Sequence, residues 1–379
     1  MTPTDLLFDP HSMLAGLRAW VACESPTWDS EAVNRMLDLA ARDLALMGAW
    51  IERLPGAREP SGVMMGGTLR ARLPHPQAGQ PGILILGHMD TVHPIGTLAQ
   101  NPWRIQGDKA WGPGLCDMKG GNYLVLEALR QLAAAGIATP LPVTILFTPD
   151  EEIGSPTSRA LIEAEAARAR YVLVPEPGLQ GGGVTTGRFA IARFNLEATG
   201  KPSHAGARLS EGRSAIREMC QRVLQIEAMT TPACTFSVGV MHAGQWVNCV
   251  SSSARAEVLS MAKRQEDLDA GVRAMLALTD AAAGFAVTRG VTRPVWEPSA
   301  ATLDLAARAE VLHKAVGIGF SHKSQGGGSD GNFTGAMGVP TLDGLGVEGD
   351  GIHTLNEHID IPSLAARGRV MAGLLAGLS

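Results

Sequence analysis

The stretch Gly82-Ile83-Leu84-Ile85-Leu86-Gly87-His88-Met89-Asp90 constrains this chain more than any other. Four consecutive aliphatic residues bounded by glycine read as a buried strand. In an open α/β sheet, chemistry sits just past the carboxyl ends of such strands. His88 is thereby carried to a sheet edge with Asp90 close behind it. Imidazole is a common metal ligand, and a nearby carboxylate fixes its tautomer. A lone His-x-Asp is weak, because a satisfied loop histidine looks the same. The weight comes from recurrence.

The same arrangement returns along the chain. Residues 141–147 form another aliphatic run, followed by Pro149-Asp150-Glu151-Glu152. Residues 171–174 form a third, followed by Pro175-Glu176-Pro177. A fourth, 339–345, precedes the loop that carries His353. The Gly-dense loop from Trp111 to Gly121 contains Asp117 and leads into a helix from about Asn122. Upstream, 13–21 and 32–46 have helical spacing, with Asp29-Ser30 placed to cap the second. Residues 62–73 alternate like a strand, and 74–81 read as a turn region rich in proline and glycine. Strands alternating with helices predict an α/β fold, a mainly parallel sheet covered by helices.

After Gly187 the pattern changes. Strands are expected at 189–198, 235–241, 254–261 and 285–292, with helices at 214–229 and 266–282. This β-α-β-β-α-β order is that of a ferredoxin-like α+β unit. From about residue 301 the helix-then-strand style resumes. The expected organisation is a discontinuous catalytic domain, 1–187 and 298–379, with an inserted second domain at 188–297.

Composition excludes some classes. A net charge of −5 with no basic run argues against general nucleic-acid binding. The apolar stretches are too short to span a bilayer, so no membrane association is expected. Residues 1–10 lack a basic region followed by an apolar core, so no signal peptide is read. The five cysteines are scattered and form no CxxC pair, which fits a reduced, cytoplasmic protein.

If the strands lie side by side in parallel, His88, Asp117, Glu152, Glu176 and His353 converge at one edge. Two His with three acids carry too many carboxylates for a closed structural zinc site. They suit a two-metal hydrolytic site, where one carboxylate bridges both ions and each ion takes one His and one further acid. A shared water completes such a site, and Glu151 is placed to act as its general base. Singly, each residue has a blander reading. Glu151-Glu152 reads as a solvated loop or helix start, His353 as structural, and Asp117 as a helix cap. All of these holding at once, each at a strand exit, is the poorer account.

Gly87-His88-Met89-Asp90-Thr91-Val92, Asp117-Met118-Lys119-Gly120-Gly121 and Asp150-Glu151-Glu152-Ile153-Gly154 resemble the signatures of the co-catalytic dizinc metallopeptidases. That family includes glutamate carboxypeptidase, aminoacylase, acetylornithine deacetylase and succinyl-diaminopimelate desuccinylase; this chain looks most like the glutamate carboxypeptidase members. The resemblance implies two Zn²⁺ per chain, with Mn²⁺ or Co²⁺ as possible substitutes. It implies His88 and Glu176 on one ion, Glu152 and His353 on the other, and Asp117 bridging. Asp90 would orient His88, Glu151 would be the base, and a cis peptide would follow Asp117. The expected substrate is a small N-acyl amino acid or peptide bearing a carboxylate. Gly200-Lys201-Pro202-Ser203-His204-Ala205-Gly206 resembles the family's His motif in a lid and dimerisation domain. His204 would then reach the active site of the partner subunit in a homodimer and stabilise the oxyanion.

One departure stands out. The lid segment Asn248-Cys249-Val250-Ser251 lacks the family's proline, and the position of a carboxylate-binding Arg falls on Met261. A thioether does not replace a guanidinium fork. Arg293 resembles another substrate-binding position and remains available, with Asn248 as a further contact.

Two rival readings have a basis in the sequence. Gly327-Gly328-Ser329-Asp330-Gly331 satisfies G-x-S-x-G, and Asp343 or Asp350 and His353 follow in the order of a serine hydrolase. That motif needs a strand directly before the serine, and 321–328 are polar and Gly-rich. A non-catalytic binding protein on the same fold would lack a ligand or the base; neither is missing.

Overall fold

The computed structural model describes residues 2–379. Contacts divide the chain into two compact units. One runs up to Gly187 and continues through Glu297–Gln325 and Ser329–Ser379; the other holds Arg188–Trp296 and Gly326–Gly328.

The first unit is built on a six-stranded sheet. Its spatial order is Trp50–Leu54, Thr68–Arg72, Val143–Thr148, Gly82–His88, Ala169–Leu173, Thr341–Leu342. Gly82–His88 pairs in parallel with a strand on each side, and Thr341–Leu342 extends the parallel set. Trp50–Leu54 and Thr68–Arg72 form an antiparallel margin. The α/β fold with a mainly parallel sheet is thus the one observed.

The central strand shows why its sequence is continuously aliphatic. Ile83 and Ile85 enter one apolar cluster, whereas Leu84 and Leu86 enter another on the opposite face. The first cluster gathers Trp20, Met36, Leu124 and Met371 from helices Pro10–Ala22, Ser30–Ala45, Gly120–Ala134 and Ile361–Gly377. The second holds Ile162 and Phe333. With both faces covered, every strand position must be apolar. Each such Leu or Ile contributes about 1.5–3 kcal/mol by burial. Asp29 caps Ser30–Ala45 by accepting from the Ala32 N–H, and Asp9 caps Pro10–Ala22 by accepting from the N–H groups of His11 and Ser12.

Three expected elements shorten most. Of 62–73 only Thr68–Arg72 is strand, because Gly62 turns at φ +95° and Gly66 passes against Val33 and Pro149. The strand expected at 339–345 shrinks to Thr341–Leu342, since Gly344 turns the chain at φ +67°. The helix expected at 266–282 is Gln265–Leu276, because Asp280 and Phe285 exchange backbone hydrogen bonds across a tight turn.

The second unit has an antiparallel sheet in the order Cys234–Ala243, Ser253–Ala262, Ala190–Thr199, Phe285–Arg293. Alternate residues Ala190, Ala192, Phe194, Leu196 and Ala198 share one core with Met219 and Ile226 of helix Ala215–Glu227 and Leu268 and Met275 of helix Gln265–Leu276. Both helices therefore cover the same face, and the β-α-β-β-α-β order is ferredoxin-like.

Candidate metal centre

Each of the five expected ligands lies at a strand end or in a turn near one. His88 closes its own strand and is 1% exposed. Its Nδ1 lies 2.9 Å from the Asp90 carbonyl and 3.4 Å from the Asp90 carboxylate. The nearer acceptor is the carbonyl, so Nδ1–H is committed there and Nε2 turns toward the acids. Asn122 donates to the His88 carbonyl at 2.7 Å and fixes the strand end from below.

Asp117 sits in the turn Leu115–Lys119, where Asp117 and Met118 leave helical geometry and a cis peptide joins them. It does not cap the following helix, whose first flanking residue is Lys119. Its two oxygens divide between the imidazoles: Oδ1 lies 3.1 Å from His88 Nε2, and Oδ2 lies 3.1 Å from His353 Nε2. Glu176 Oε1 lies 3.8 Å from His88 Nε2, and Glu152 Oε2 lies 3.2 Å from His353 Nε2. His353 holds φ +62°, which costs about 1–2 kcal/mol for a residue with a Cβ. The turn closed by Thr354 N–H on the Gly351 carbonyl holds it there.

Glu151 begins the short turn after Val143–Thr148, and one carboxylate oxygen lies within 4.8 Å of ligand atoms on His88 and Glu176. Asp90 holds this turn as well: its oxygens accept from the N–H groups of Glu151 and Glu152, each at 3.2 Å, and from the Thr27 hydroxyl at 2.7 Å.

The electrostatics follow from withdrawal of several acids from water. Burial, reinforced by Asp117, pushes Glu152 up to about 8. The same two causes hold Glu176 well above the usual carboxylate range. Burial acts on Asp117 too, but hydrogen bonds from His353 and His88 outweigh it and hold that acid low. His353 is drawn up to about 10 by Asp117 and then Glu152. Burial opposes charge on His88, yet Asp117 and Asp90 hold it well above its ordinary value. Crowded acids thus bind whatever positive charge is present. Divalent cations answer that demand better than protons, and imidazole with carboxylate oxygen suits Zn²⁺, Mn²⁺ or Co²⁺. Two overlapping groups, His88 with Glu151 and Glu176 and His88 with Asp117 and Glu152, have metal-holding spacing.

Residues 84–377 match the peptidase family M20/M25/M40. The chain belongs to that family. It is 32% identical to carboxypeptidase G2 of Pseudomonas sp. (strain RS-16), over 97% of this chain and 89% of that protein. It is 28% identical to acetylornithine deacetylase of Klebsiella pneumoniae, over 45% of this chain and 47% of that protein. Among solved structures, a tripeptidase from Staphylococcus aureus superposes with a TM-score of 0.75 at 20% identity, covering 97% of this chain and 99% of that one. Human carnosine dipeptidase 1 superposes at 0.74 and 13% identity, covering 97% and 96%. This M20 chain is therefore a metallopeptidase by family and shares the family's fold.

The serine-hydrolase alternative fails on geometry. Ser329 is fully buried and donates to Asp343 at 2.6 Å. The strand His322–Gln325 ends before three glycines rather than at the serine, and His353 faces Asp117 and Glu152. Gly328 is glycine because Arg293 and Ile191 crowd it: a Cβ there would lie 2.6 Å from Arg293 Cδ.

The remaining sequence-derived residues lie in the second unit. His204 is exposed, and its Nδ1 accepts from the N–H groups of Gly206 and Ala207, each at 3.1 Å. That leaves the proton of a neutral ring on Nε2, a donor. The Asn248 carbonyl accepts from Ala205 N–H, so Asn248 adjoins the His motif. Arg293 is buried at 3% exposure, and Arg293 and Met261 both pair with Ile191, one on each side. Sequence reasoning missed Thr27, His93, Asn122 and Glu357. The only available signal was the spacing of Glu357, four residues after His353. No helix among the described residues is long and apolar enough to cross a membrane.

Proposed function

We propose that this M20 chain is a dizinc hydrolase that cleaves an amide or peptide bond in a small carboxylate-bearing substrate, an N-acyl amino acid or dipeptide. One observation carries the reading: Asp117 presents one oxygen to each of two imidazoles, and each imidazole has a further glutamate beside it. His88 with Glu176 would hold one ion, His353 with Glu152 the other, and Asp117 both. Two divalent ions in such a site supply Lewis acidity for the carbonyl and a water of lowered pKa. Glu151 takes the proton of the attacking water and returns it to the leaving amine. Asp90 holds Glu151 through its backbone N–H and keeps His88 turned toward the acids.

The second unit serves as lid and dimerisation domain in this reading. His204 Nε2–H stabilises the oxyanion in the partner subunit's site of a homodimer. Arg293, with Asn248, takes the substrate carboxylate, since Met261 offers no charge. The match to carboxypeptidase G2 supports a carboxylate-bearing substrate.

The test is Glu151→Gln, assayed on N-acyl amino acids and dipeptides with metal counting alongside. Two zinc ions per chain and a loss of about 10²–10⁴ in turnover are expected. Full turnover sinks the assignment. Mixing Glu151→Gln with His204→Ala under subunit exchange should regenerate one working site per heterodimer. No recovery despite proven exchange removes the role across subunits. An unchanged KM in Arg293→Ala removes Arg293 from the binding site.

A further inference from the structure

Glu357 is not one of the assigned ligands, yet it is 0% exposed and four donors point at its two oxygens. Oε1 accepts from the N–H of Cys116 at 2.8 Å and of Asp117 at 3.0 Å. Oε2 accepts from the N–H of Gly114 at 2.8 Å and lies 2.6 Å from Nε2 of His93, itself buried. An ionised carboxylate is acceptor-only with about four lone-pair sites, so the four donors match its capacity. Successive backbone N–H groups curled around an anion form a fixed concavity. Here the anion is a side chain of the same protein. The curl needs Gly114 at φ +67°, where a Cβ would also meet Thr91 at 2.5 Å.

The segments involved give this cluster its meaning. Glu357 lies four residues beyond His353, His93 lies five beyond His88, and the three N–H groups belong to the turn that carries Asp117. Three separate segments, each with one proposed ligand, therefore meet at one carboxylate. The backbone repeats the tie: Gly112 N–H donates to the Glu357 carbonyl, and His358 pairs with Trp111.

We infer that Glu357, braced by His93, is a positioning residue that sets Asp117 between His88 and His353 and so governs metal affinity at both positions. The inference rests on the dizinc reading above. It acts through the backbone of Asp117, so substrate contact is not part of its role.

Glu357→Gln is the test. The amide has the same shape, but its NH₂ must face either the Cys116 and Asp117 N–H pair or the Gly114 N–H, so donor meets donor. Zinc affinity is read by competition with a chromophoric chelator at a temperature where circular dichroism shows the fold intact. It should fall by about 10–100-fold at both positions, the range for groups that orient metal ligands. The visible band of the Co²⁺-loaded protein should shift with the altered Asp117 geometry. Excess zinc should restore turnover in Glu357→Gln and not in Glu151→Gln. A purely structural carboxylate would lower the melting temperature and leave affinity and band unchanged, and that result overturns the inference. If Glu357→Gln does not fold, His93→Gln keeps the carboxylate and its three backbone donors. A fall of about 10-fold is expected there, and wild-type affinity overturns the inference equally. Wild-type protein that binds two zinc ions while the variants match it sinks this inference alone. Wild-type protein that binds none sinks the dizinc reading, and this inference with it.

Discussion

Replacing Asp90 by Asn separates two roles that one carboxylate combines. The sequence marks Asp90 as the partner of His88, but the carbonyl of Asp90 is the nearer acceptor for Nδ1, at 2.9 Å against 3.4 Å. The carboxylate's closer donors are the Thr27 hydroxyl at 2.7 Å and the N–H groups of Glu151 and Glu152 at 3.2 Å. An Asn side chain keeps one acceptor oxygen. With that oxygen toward Thr27 and Glu152, the Glu151 N–H faces an NH₂ group. An unsatisfied buried N–H costs about 1–3 kcal/mol, and the two retained bonds lose their charge assistance. Removing a buried charge offsets part of this. The net expectation is a loss of about 1–3 kcal/mol, and Thr27→Val, which removes one bond to a charged group, should cost about 1.5–3 kcal/mol. Urea unfolding of chelator-treated protein isolates the effect from metal binding, provided the slope is unchanged. Because the two residues share one bond, the double variant should be less destabilised than the sum by about 0.5–3 kcal/mol. Strict additivity refutes the Thr27–Asp90 bond, and an Asp90→Asn midpoint equal to wild type refutes the assignment of this carboxylate to the Glu151–Glu152 turn.

Other outcomes follow from single residues. Asp117→Ala should lower zinc affinity at both positions together, whereas His353→Ala should mainly empty one; an unchanged two ions per chain in Asp117→Ala excludes the bridge. Gly121→Ala places a Cβ 1.8 Å from the Pro175 carbonyl, next to Glu176, and should cost about 1–3 kcal/mol by overpacking, read as a lower melting temperature. His313 is fully buried, and burial drops it from 6.5 to about 4 against the opposing pull of the Ala309 carbonyl. Below pH 6.5 the unfolded chain gains a proton that the folded chain refuses until about pH 4, so stability falls as pH falls through that window and levels below it. The full span is about 3 kcal/mol, and stability-versus-pH curves of His313→Leu should lack this component.

The fold was legible where burial imposes a pattern. Ile83 and Ile85 serve one core and Leu84 and Leu86 the other, so the central strand had to be written as an unbroken aliphatic run. The alternation Phe194, Leu196, Ala198 against Asn195 and Glu197 was legible for the opposite reason, since only one face of that sheet is covered. Edges were harder. Trp50–Leu54 is a half-exposed marginal strand whose residues carry no strict period, and it was not anticipated. Thr341–Leu342 inherits the look of a longer strand because Val339 and Leu345 are apolar for packing, while Gly344 ends the pairing.

At the centre, legibility tracked the kind of bond each residue makes. His88, Asp117, Glu152, Glu176 and His353 present side-chain atoms to one another, so their residue types alone mark them as candidate ligands. Each also sits at a strand exit or in a turn beside one, where sheet topology gathers them. Glu357 and Thr27 use side chains to hold other residues in place, across 240 and 63 positions of chain. Backbone N–H groups carry no residue signature, so nothing in Gly114, Cys116 or Asp117 marks them as donors to a distant carboxylate. The same reasoning explains the false signal at Ser329. Gly327 turns the chain at φ +79°, Gly328 is kept small by the close approach of Arg293 and Ile191, and the Ser329 hydroxyl is spent on Asp343. A motif made of glycines reports close backbone approach first, and only a group with an accessible reacting atom turns that approach into chemistry.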